Sequence, residues 1–131
     1  MAIADQVYNR RGLERRVGYS QATCAGDFLF ISGCVSWDMG GNPLHPADFA
    51  SQVETVYADI DATLKAHGMG ARDVVKETVY TIDMESLIAA NHKRLEYYRD
   101  VAPPASTWVE IKRLVHPDLL LEVEIIAFKR R

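Results

Sequence analysis

Two carboxylates near the C-terminus have a spacing that suits acid–base chemistry. Glu122 and Glu124 lie two positions apart within residues 119–128, a segment whose composition predicts a β-strand. Residues two apart in a strand share a face, so the carboxylates are expected about 7 Å from each other. Such a pair can supply a general acid and a general base. The same spacing also occurs on a solvated strand edge, and from these residues alone the solvated edge is the favoured interpretation.

An amide residue interrupts an otherwise apolar helical stripe. Residues 84–99 predict a helix, with Asp83 as its N-cap and Pro103 and Pro104 preventing its continuation. The predicted stripe consists of Met84, Leu87, Ile88, Asn91, Leu95 and Tyr98. A buried amide needs hydrogen-bond partners. Asn91 therefore either fastens a loop or points at a site, and the sequence leaves both interpretations open.

The other reactive residue types do not form a recognisable centre. The four histidines fall in different predicted elements without ligand spacing, so a metal site is not expected. Cys34 has no basic neighbour in sequence and is predicted to pack as a small hydrophobic residue. Two cysteines are too few for a disulfide framework. Reduced thiols and a cytoplasmic location are therefore expected.

The elements around these residues alternate between strands and helices. Residues 19–25 and 28–35 predict a hairpin, and residues 35–47 a loop. A helix begins at Phe49, with Asp48 as N-cap and Gly68 as terminator. Residues 74–82 predict a strand before the second helix, and residues 106–112 and 119–128 predict two last strands that pair with each other. This order predicts a two-layer α+β sandwich, with both helices on one face of a mixed sheet, in a single domain spanning residues 1–131.

The sheet face without helices is expected to be both aromatic and acidic. Alternation assigns Thr107, Val109 and Ile111 to the core. It assigns to the opposite face Phe28, Phe30, Ser32, Cys34, Ser106, Trp108, Glu110, Lys112, Glu122, Glu124, Ile126 and Phe128. So much aromatic area does not suit water, and two carboxylates do not suit a dry core. An oligomer interface with polar clefts at its seams satisfies both demands.

Composition narrows the range of partners. The chain has 131 residues, of which 48% are hydrophobic and 25% charged, with a formal net charge of −3. That charge argues against a nucleic-acid binder held by overall electrostatics. No run of 18 apolar residues occurs, so no membrane partner is expected, and the N-terminal residues do not have the pattern of a signal peptide.

Several short segments, taken in order, resemble one known family. They are Gly18-Tyr19-Ser20-Gln21-Ala22, Phe30-Ile31-Ser32-Gly33, Asp73-Val74-Val75-Lys76, Pro104-Ala105 leading into Val109-Glu110, and Leu121-Glu122-Val123-Glu124-Ile125-Ile126-Ala127. Together they resemble the RidA/YjgF family of reactive-intermediate deaminases, also described as the endoribonuclease L-PSP family. The resemblance implies a homotrimer with a chorismate-mutase-like fold, in which helices lie outside, sheets form an inner barrel and active sites lie at the three subunit seams.

The resemblance also implies an activity and a pocket. Well-studied members hydrolyse enamines and imines derived from amino acids to keto acids and ammonia, without a metal or organic cofactor. Tyr19, Ser32, Asn91 and Trp108 match positions that line the family's pocket. Glu122 matches the catalytic carboxylate that positions and activates the attacking water.

Position 106 departs from the pattern of the deaminating members. They have an arginine there, which grips the substrate carboxylate with two hydrogen bonds, whereas this chain has Ser106. Losing that charge-assisted contact should weaken the hold on an imino acid by about ten- to more than a hundredfold. Trp108 stands where a small residue is common, so it either narrows the pocket or offers a stacking surface. Arg15, Arg16 and Lys112 are the cations considered as replacements.

Three functions follow from these observations. The sequence favours an enzyme in which Glu122-activated water hydrolyses an imine, an enamine or a related C=N compound other than the usual imino acids. One alternative is a catalytically silent trimer that binds a small molecule or regulates another process. The other is a ribonuclease or translation inhibitor, which the net charge disfavours.

Overall fold

A six-stranded mixed sheet forms the centre of the fold. The computed structural model describes residues 6–130. The sheet order is β1-β2-β3-β6-β4-β5, in which β4 and β5 are parallel and the other neighbours antiparallel. The strands are β1 (Val7–Tyr8), β2 (Ala22–Ala25), β3 (Phe28–Cys34), β4 (Val74–Thr81), β5 (Ala105–Glu110) and β6 (Leu121–Phe128). The predicted α+β class and the β2–β3 hairpin are confirmed.

The first two elements were not expected from the sequence. Strand β1 has two residues, and helix α1 (Leu13–Val17) has five, so both are too short to show a periodicity. The backbone N–H groups of Arg10 and Arg11 donate to the buried Glu14 carboxylate. This turn connects β1 to Gly18, whose φ of +104° ends α1.

The first long helix agrees with the sequence. Helix α2 (Phe49–Ala66) is capped by Asp48, whose side chain accepts a hydrogen bond from the Ser51 N–H. Gly68 follows the helix with a φ of +70°, the left-handed conformation that glycine adopts readily. One side of α2 is buried against the sheet through Val53, Val56, Tyr57, Ile60 and Leu64. Within residues 6–130 no helix, α2 included, is long and apolar enough to cross a membrane.

The predicted second helix is two helices with a different buried side. Asp83 caps α3 (Met84–Ala89), and α4 (Asn91–Tyr97) follows after the backbone departs from helical geometry at Ala90. The predicted stripe is wrong at two positions, because Ile88 and Leu95 are 55% and 50% exposed, while Arg94 is buried. The cause is an ion pair between Arg94 and the buried Glu77 of β4, which makes a charged residue acceptable in the core.

The last two strands do not pair with each other. Strand β4 lies between them, and β5 pairs with β4 in the register Glu77↔Ser106 and Val79↔Trp108. Since Glu77 and Val79 are buried toward the helices, Ser106 and Trp108 share that face. The expected assignment of this strand is therefore reversed, and Val109 is 37% exposed on the opposite face. Glu110 shares the helix side, where its carboxylate accepts a hydrogen bond from the Met84 N–H at the start of α3.

The other two central strands follow the expected alternation with one exception. Leu121, Val123, Ile125 and Ala127 are buried, as are Leu29 and Ile31. The opposite side of the sheet, called here the open face, carries Phe28, Phe30, Glu122, Glu124, Ile126 and Phe128. Cys34 was expected there, but the register between β3 and β6 shifts between Ile31 and Cys34. This irregularity turns Cys34 into the core, where it packs as a free thiol.

Candidate functional site

The six candidate residues fall into two groups. Ser32 and Glu122 lie on the neighbouring strands β3 and β6, with Glu122 on the open face, and Tyr19 lies between α1 and β2. Asn91, Ser106 and Trp108 lie at the other end of the sheet order, on the helix side. The sequence placed Trp108 on the same sheet face as Glu122, and this placement is wrong, because the sheet separates the two side chains.

Glu122 sits in a partly buried position beside a glycine of the neighbouring strand. A Cβ atom at Gly33 would overlap the Glu122 carboxylate, so the side chain occupies space that only glycine leaves open. Burial raises the pKa of Glu122, and the negative charge of Glu124 raises it further. A carboxylate with a raised pKa can exchange a proton near neutral pH more readily than an exposed one can.

Glu124 is fixed next to Glu122 by a tyrosine. The Tyr80 hydroxyl donates a 2.9 Å hydrogen bond to the Glu124 carboxylate, and Tyr80 is the cross-strand partner of Glu122. This hydrogen bond raises the pKa of Tyr80, because it favours the protonated phenol, and burial and the charges of Glu124 and Glu122 raise it further. The two carboxylates of β6 thus share one patch of the open face, with the Tyr80 phenol beside them on β4.

Ser32 contacts the segment between α1 and β2 that contains Tyr19. The Ser32 hydroxyl donates a 2.6 Å hydrogen bond to the Ser20 carbonyl, which ties β3 to the segment that follows α1. Tyr19 is half-buried there, and burial is the main reason that its pKa is raised. A cavity of about 300 Å³ opens nearby on the open face, lined by Ser20, Ser32, Phe30, Lys76, Thr78 and Glu124 among others.

The second group surrounds a buried carboxylate that the sequence reading did not single out. Glu77 is fully buried in β4. Its Oε1 accepts hydrogen bonds from the hydroxyls of Tyr57 (2.6 Å) and Tyr98 (2.9 Å). Its Oε2 accepts from the Arg94 guanidinium and from the Ser106 hydroxyl (2.7 Å). These five residues are called here the Glu77 cluster.

The pKa values of the two tyrosines and of Arg94 in the Glu77 cluster are all raised. Burial and then the Glu77 charge raise the pKa of both Tyr57 and Tyr98. Burial alone would lower the pKa of Arg94, but the Glu77 charge overcomes this and the pKa is raised. Both tyrosines therefore stay protonated donors, and the carboxylate keeps its cation.

Trp108 and Asn91 are attached to this cluster. The Trp108 indole N–H donates a 3.0 Å hydrogen bond to the Ser106 hydroxyl oxygen. The Arg94 guanidinium carbon lies 5.7 Å from the centre of the Trp108 ring, within the range of a cation–π contact. Asn91 accepts a long, 3.5 Å hydrogen bond from Arg94. The cation beside Ser106 is therefore Arg94, whereas Arg15, Arg16 and Lys112 are exposed.

A signal for the cluster was present in the sequence. Glu77 alternates with Val79 and Thr81 in a strand, and Arg94 lies seven residues after Leu87 and four before Tyr98 in a helix. Each charge therefore occupied a core-facing position. Two opposite charges on inward positions of neighbouring elements indicate a buried ion pair. Among the described residues, no three His, Cys, Asp or Glu side chains converge in a way that would hold a metal ion.

The mixed sheet, its single helical layer and the open face define a class of small α+β protein that solved structures share. The YjgF gene product of E. coli superposes with a TM-score of 0.80 and 26% identity, covering 96% of this chain and 95% of that one. The Rid-family protein YyfA of Yersinia pestis superposes with a TM-score of 0.80 and 28% identity, covering 86% and 88%.

Sequence comparison gives the particular family. Residues 10–129 match the family described as Endoribonuclease L-PSP. A RutC family protein of Pyrococcus horikoshii is 40% identical over 111 residues, which are 85% of this chain and 86% of the relative. The chain belongs to the RidA/YjgF family, as the sequence motifs had indicated.

Proposed function

We propose that the protein hydrolyses a C=N bond of an imine, an enamine or a related compound, with Glu122 acting on the attacking water. One observation carries the proposal: Glu122 is a partly buried carboxylate with a raised pKa, and the space around it depends on Gly33. The motif match of Glu122 to the family's catalytic carboxylate supports the same role.

In this mechanism Glu122 transfers the two protons of the water in turn. The ionised carboxylate accepts the first proton as the water oxygen bonds to the imine carbon, and the C=N electron pair moves to nitrogen. The protonated Glu122 gives this proton to nitrogen, which completes a carbinolamine. Glu122 then accepts the carbinolamine hydroxyl proton and passes it to nitrogen as the C–N bond breaks, so a carbonyl forms and ammonia or an amine leaves. Glu124 contributes by raising the pKa of Glu122, which favours both transfers near neutral pH.

The complete pocket is proposed to form between subunits of a homotrimer. Glu122 and the pair Ser106–Trp108 lie on opposite sides of the sheet, so only a neighbouring copy can bring the two groups together. The open face supports an interface, since Phe28, Phe30 and Phe128 are 41%, 42% and 37% exposed there. Such a concentration of exposed aromatic rings is unusual on a monomer and common where subunits meet.

A cytoplasmic location is part of the proposal. Cys24 and Cys34 are both free thiols, and free thiols are typical of reducing compartments.

The test is a coupled assay in which an amino-acid oxidase produces a panel of imines, aromatic ones included, whose decay is followed with and without the protein. Glu122→Gln should reduce the accelerated decay by about a hundred- to ten-thousandfold, the usual contribution of a general base. Glu85→Gln, an exposed change on α3, is the matched control and should keep full activity. Light scattering should find both variants as trimers. Full activity in Glu122→Gln would exclude this mechanism.

A silent ligand-binding trimer is the second candidate. It is favoured because the Ser106 hydroxyl and the Trp108 indole N–H both donate hydrogen bonds within the chain. Neither donor is then available to hold a reacting substrate. In that case small metabolites would raise the melting temperature without any product being formed.

A further inference from the structure

The cluster around position 106 uses up its own hydrogen-bond donors. Ser106 has one hydroxyl hydrogen, which it donates to Glu77, and its oxygen accepts from Trp108. The indole has one N–H group, and that group is the donor to Ser106. Neither side chain therefore has a hydrogen left for a ligand. The lone pair that remains on the Ser106 oxygen repels an anion.

The charges at this place also cancel. Arg94 and Glu77 form an ion pair in which the two side chains are 9% and 0% exposed. Two guanidinium nitrogens, Nε and Nη2, both contact Oε2 of Glu77. The Arg94 charge is thus neutralised inside the chain, whereas an arginine at position 106 would have been available to a ligand carboxylate.

The surface that remains is the Trp108 ring. The indole is partly buried, packs against the hydrophobic core and has the Arg94 guanidinium 5.7 Å from its centre. Its orientation is fixed by the hydrogen bond to Ser106. A ring held in place in this way is a stacking surface for a flat, apolar group.

We propose that this half-site, consisting of Ser106, Trp108, Arg94 and Glu77, binds an uncharged aromatic group of the ligand and disfavours a carboxylate. Glu77 sets this preference, because its charge cancels that of Arg94 and its carboxylate accepts the only hydrogen bond that the Ser106 hydroxyl can donate. This inference rests on the proposed function in one respect, because it treats the Trp108 ring as part of the ligand pocket. It names the substrate class as C=N compounds that carry a neutral aromatic group at this end.

The test compares two probes of nearly equal size, benzamide and benzoate. Binding is followed by Trp108 fluorescence in a Trp37→Phe background, and light scattering checks the oligomer. The protein should bind benzamide about ten- to a hundredfold more tightly than benzoate, since the anion loses water without gaining a charged donor. In Glu77→Gln the unpaired Arg94 charge should move the ratio toward benzoate about tenfold or more. Glu54→Gln, an exposed change of equal charge on α2, should leave the ratio unchanged.

Ser106→Ala keeps the test decisive if Glu77→Gln does not fold. This exposed position on an edge strand loses only the hydroxyl, so the Trp108 N–H becomes available and the ratio should again move toward benzoate. The inference is overturned if benzoate binds the unsubstituted half-site as well as benzamide, if neither probe binds, or if the folded variants keep the original ratio. Because binding is read without turnover, an active Glu122→Gln variant would contradict the proposed hydrolysis and leave this result standing.

Discussion

Replacing Arg94 by leucine should reveal how strongly the Glu77 cluster depends on its cation. Arg94 is the only positively charged donor to Glu77 among the described residues, and the carboxylate is fully buried. Removing one partner of a buried ion pair costs about 3 to 5 kcal/mol. Three hydroxyls, of Tyr57, Tyr98 and Ser106, still donate to the carboxylate, so we expect a loss near the lower limit, about 3 kcal/mol.

Denaturant unfolding at fixed protomer concentration measures this loss, since the stability of an oligomer depends on concentration. The orphaned carboxylate is tolerated in the core only when protonated, so the loss should be smaller at mildly acidic pH than at neutral pH. The double variant Glu77→Gln/Arg94→Leu removes both charges and should recover about 2 kcal/mol relative to Arg94→Leu. A loss below about 1 kcal/mol, the range of exposed ion pairs, or no recovery in the double variant, would refute the reasoning.

Three further predictions concern the open face. The rate should fall as the pH drops through the raised pKa of Glu122, because the ionised carboxylate is the base. Glu124→Gln removes the charge repulsion that helps raise this pKa, so the acid limb of the pH–rate profile should move to lower pH. An acid limb at the same pH would contradict the coupling between the two carboxylates. Gly33→Ala should displace the Glu122 carboxylate and reduce turnover sharply. It should also lower the free energy of unfolding by about 1 to 3 kcal/mol. Unchanged kinetics would show that the close approach of Glu122 to Gly33 is unimportant for activity. Phe30→Asp should convert the oligomer to monomers, as measured by light scattering. Leu95→Asp, at a similarly exposed apolar position on α4, should leave the oligomer intact. If only Leu95→Asp gave monomers, the interface would lie on the helices and not on the open face.

Local rules were sufficient for most of the fold. Asp48 and Asp83 cap their helices as expected because an N-cap interaction involves residues three apart in sequence. The alternation in β6 was readable because one side is uniformly apolar. The faces of β5 were misassigned because the β-branched residues Thr107, Val109 and Ile111 alternate as a core-facing side would. The side of β5 that faces the helices carries Ser106, which donates a hydrogen bond to Glu77. Glu77 lies 29 positions earlier in the chain, and an alternation rule within one strand does not take such a partner into account.

The arrangement of the candidate residues could not be predicted from the sequence. Tyr19, Ser32 and Glu122 were identified by motif, and the structure brings Ser32 and Glu122 onto neighbouring strands. Trp108 was assigned to their face, because hydrophobicity cannot distinguish an indole that packs on helices from one that faces a neighbouring subunit. Arg94 was missed since a charged side chain is normally excluded from a buried stripe, and only its pairing with Glu77 permits it.

The central claim is that each pocket combines Glu122 of one subunit with Trp108 of its neighbour. Glu122→Gln and Trp108→Leu proteins, each expected to form an inactive trimer, are mixed in equal amounts, unfolded and refolded together. If the pocket lies between subunits, random assembly restores one intact pocket in about four, so about a quarter of the unsubstituted activity should return. If the pocket lies within one chain, every chain carries a defect. The mixture would then be as inactive as its components, and the account would be wrong.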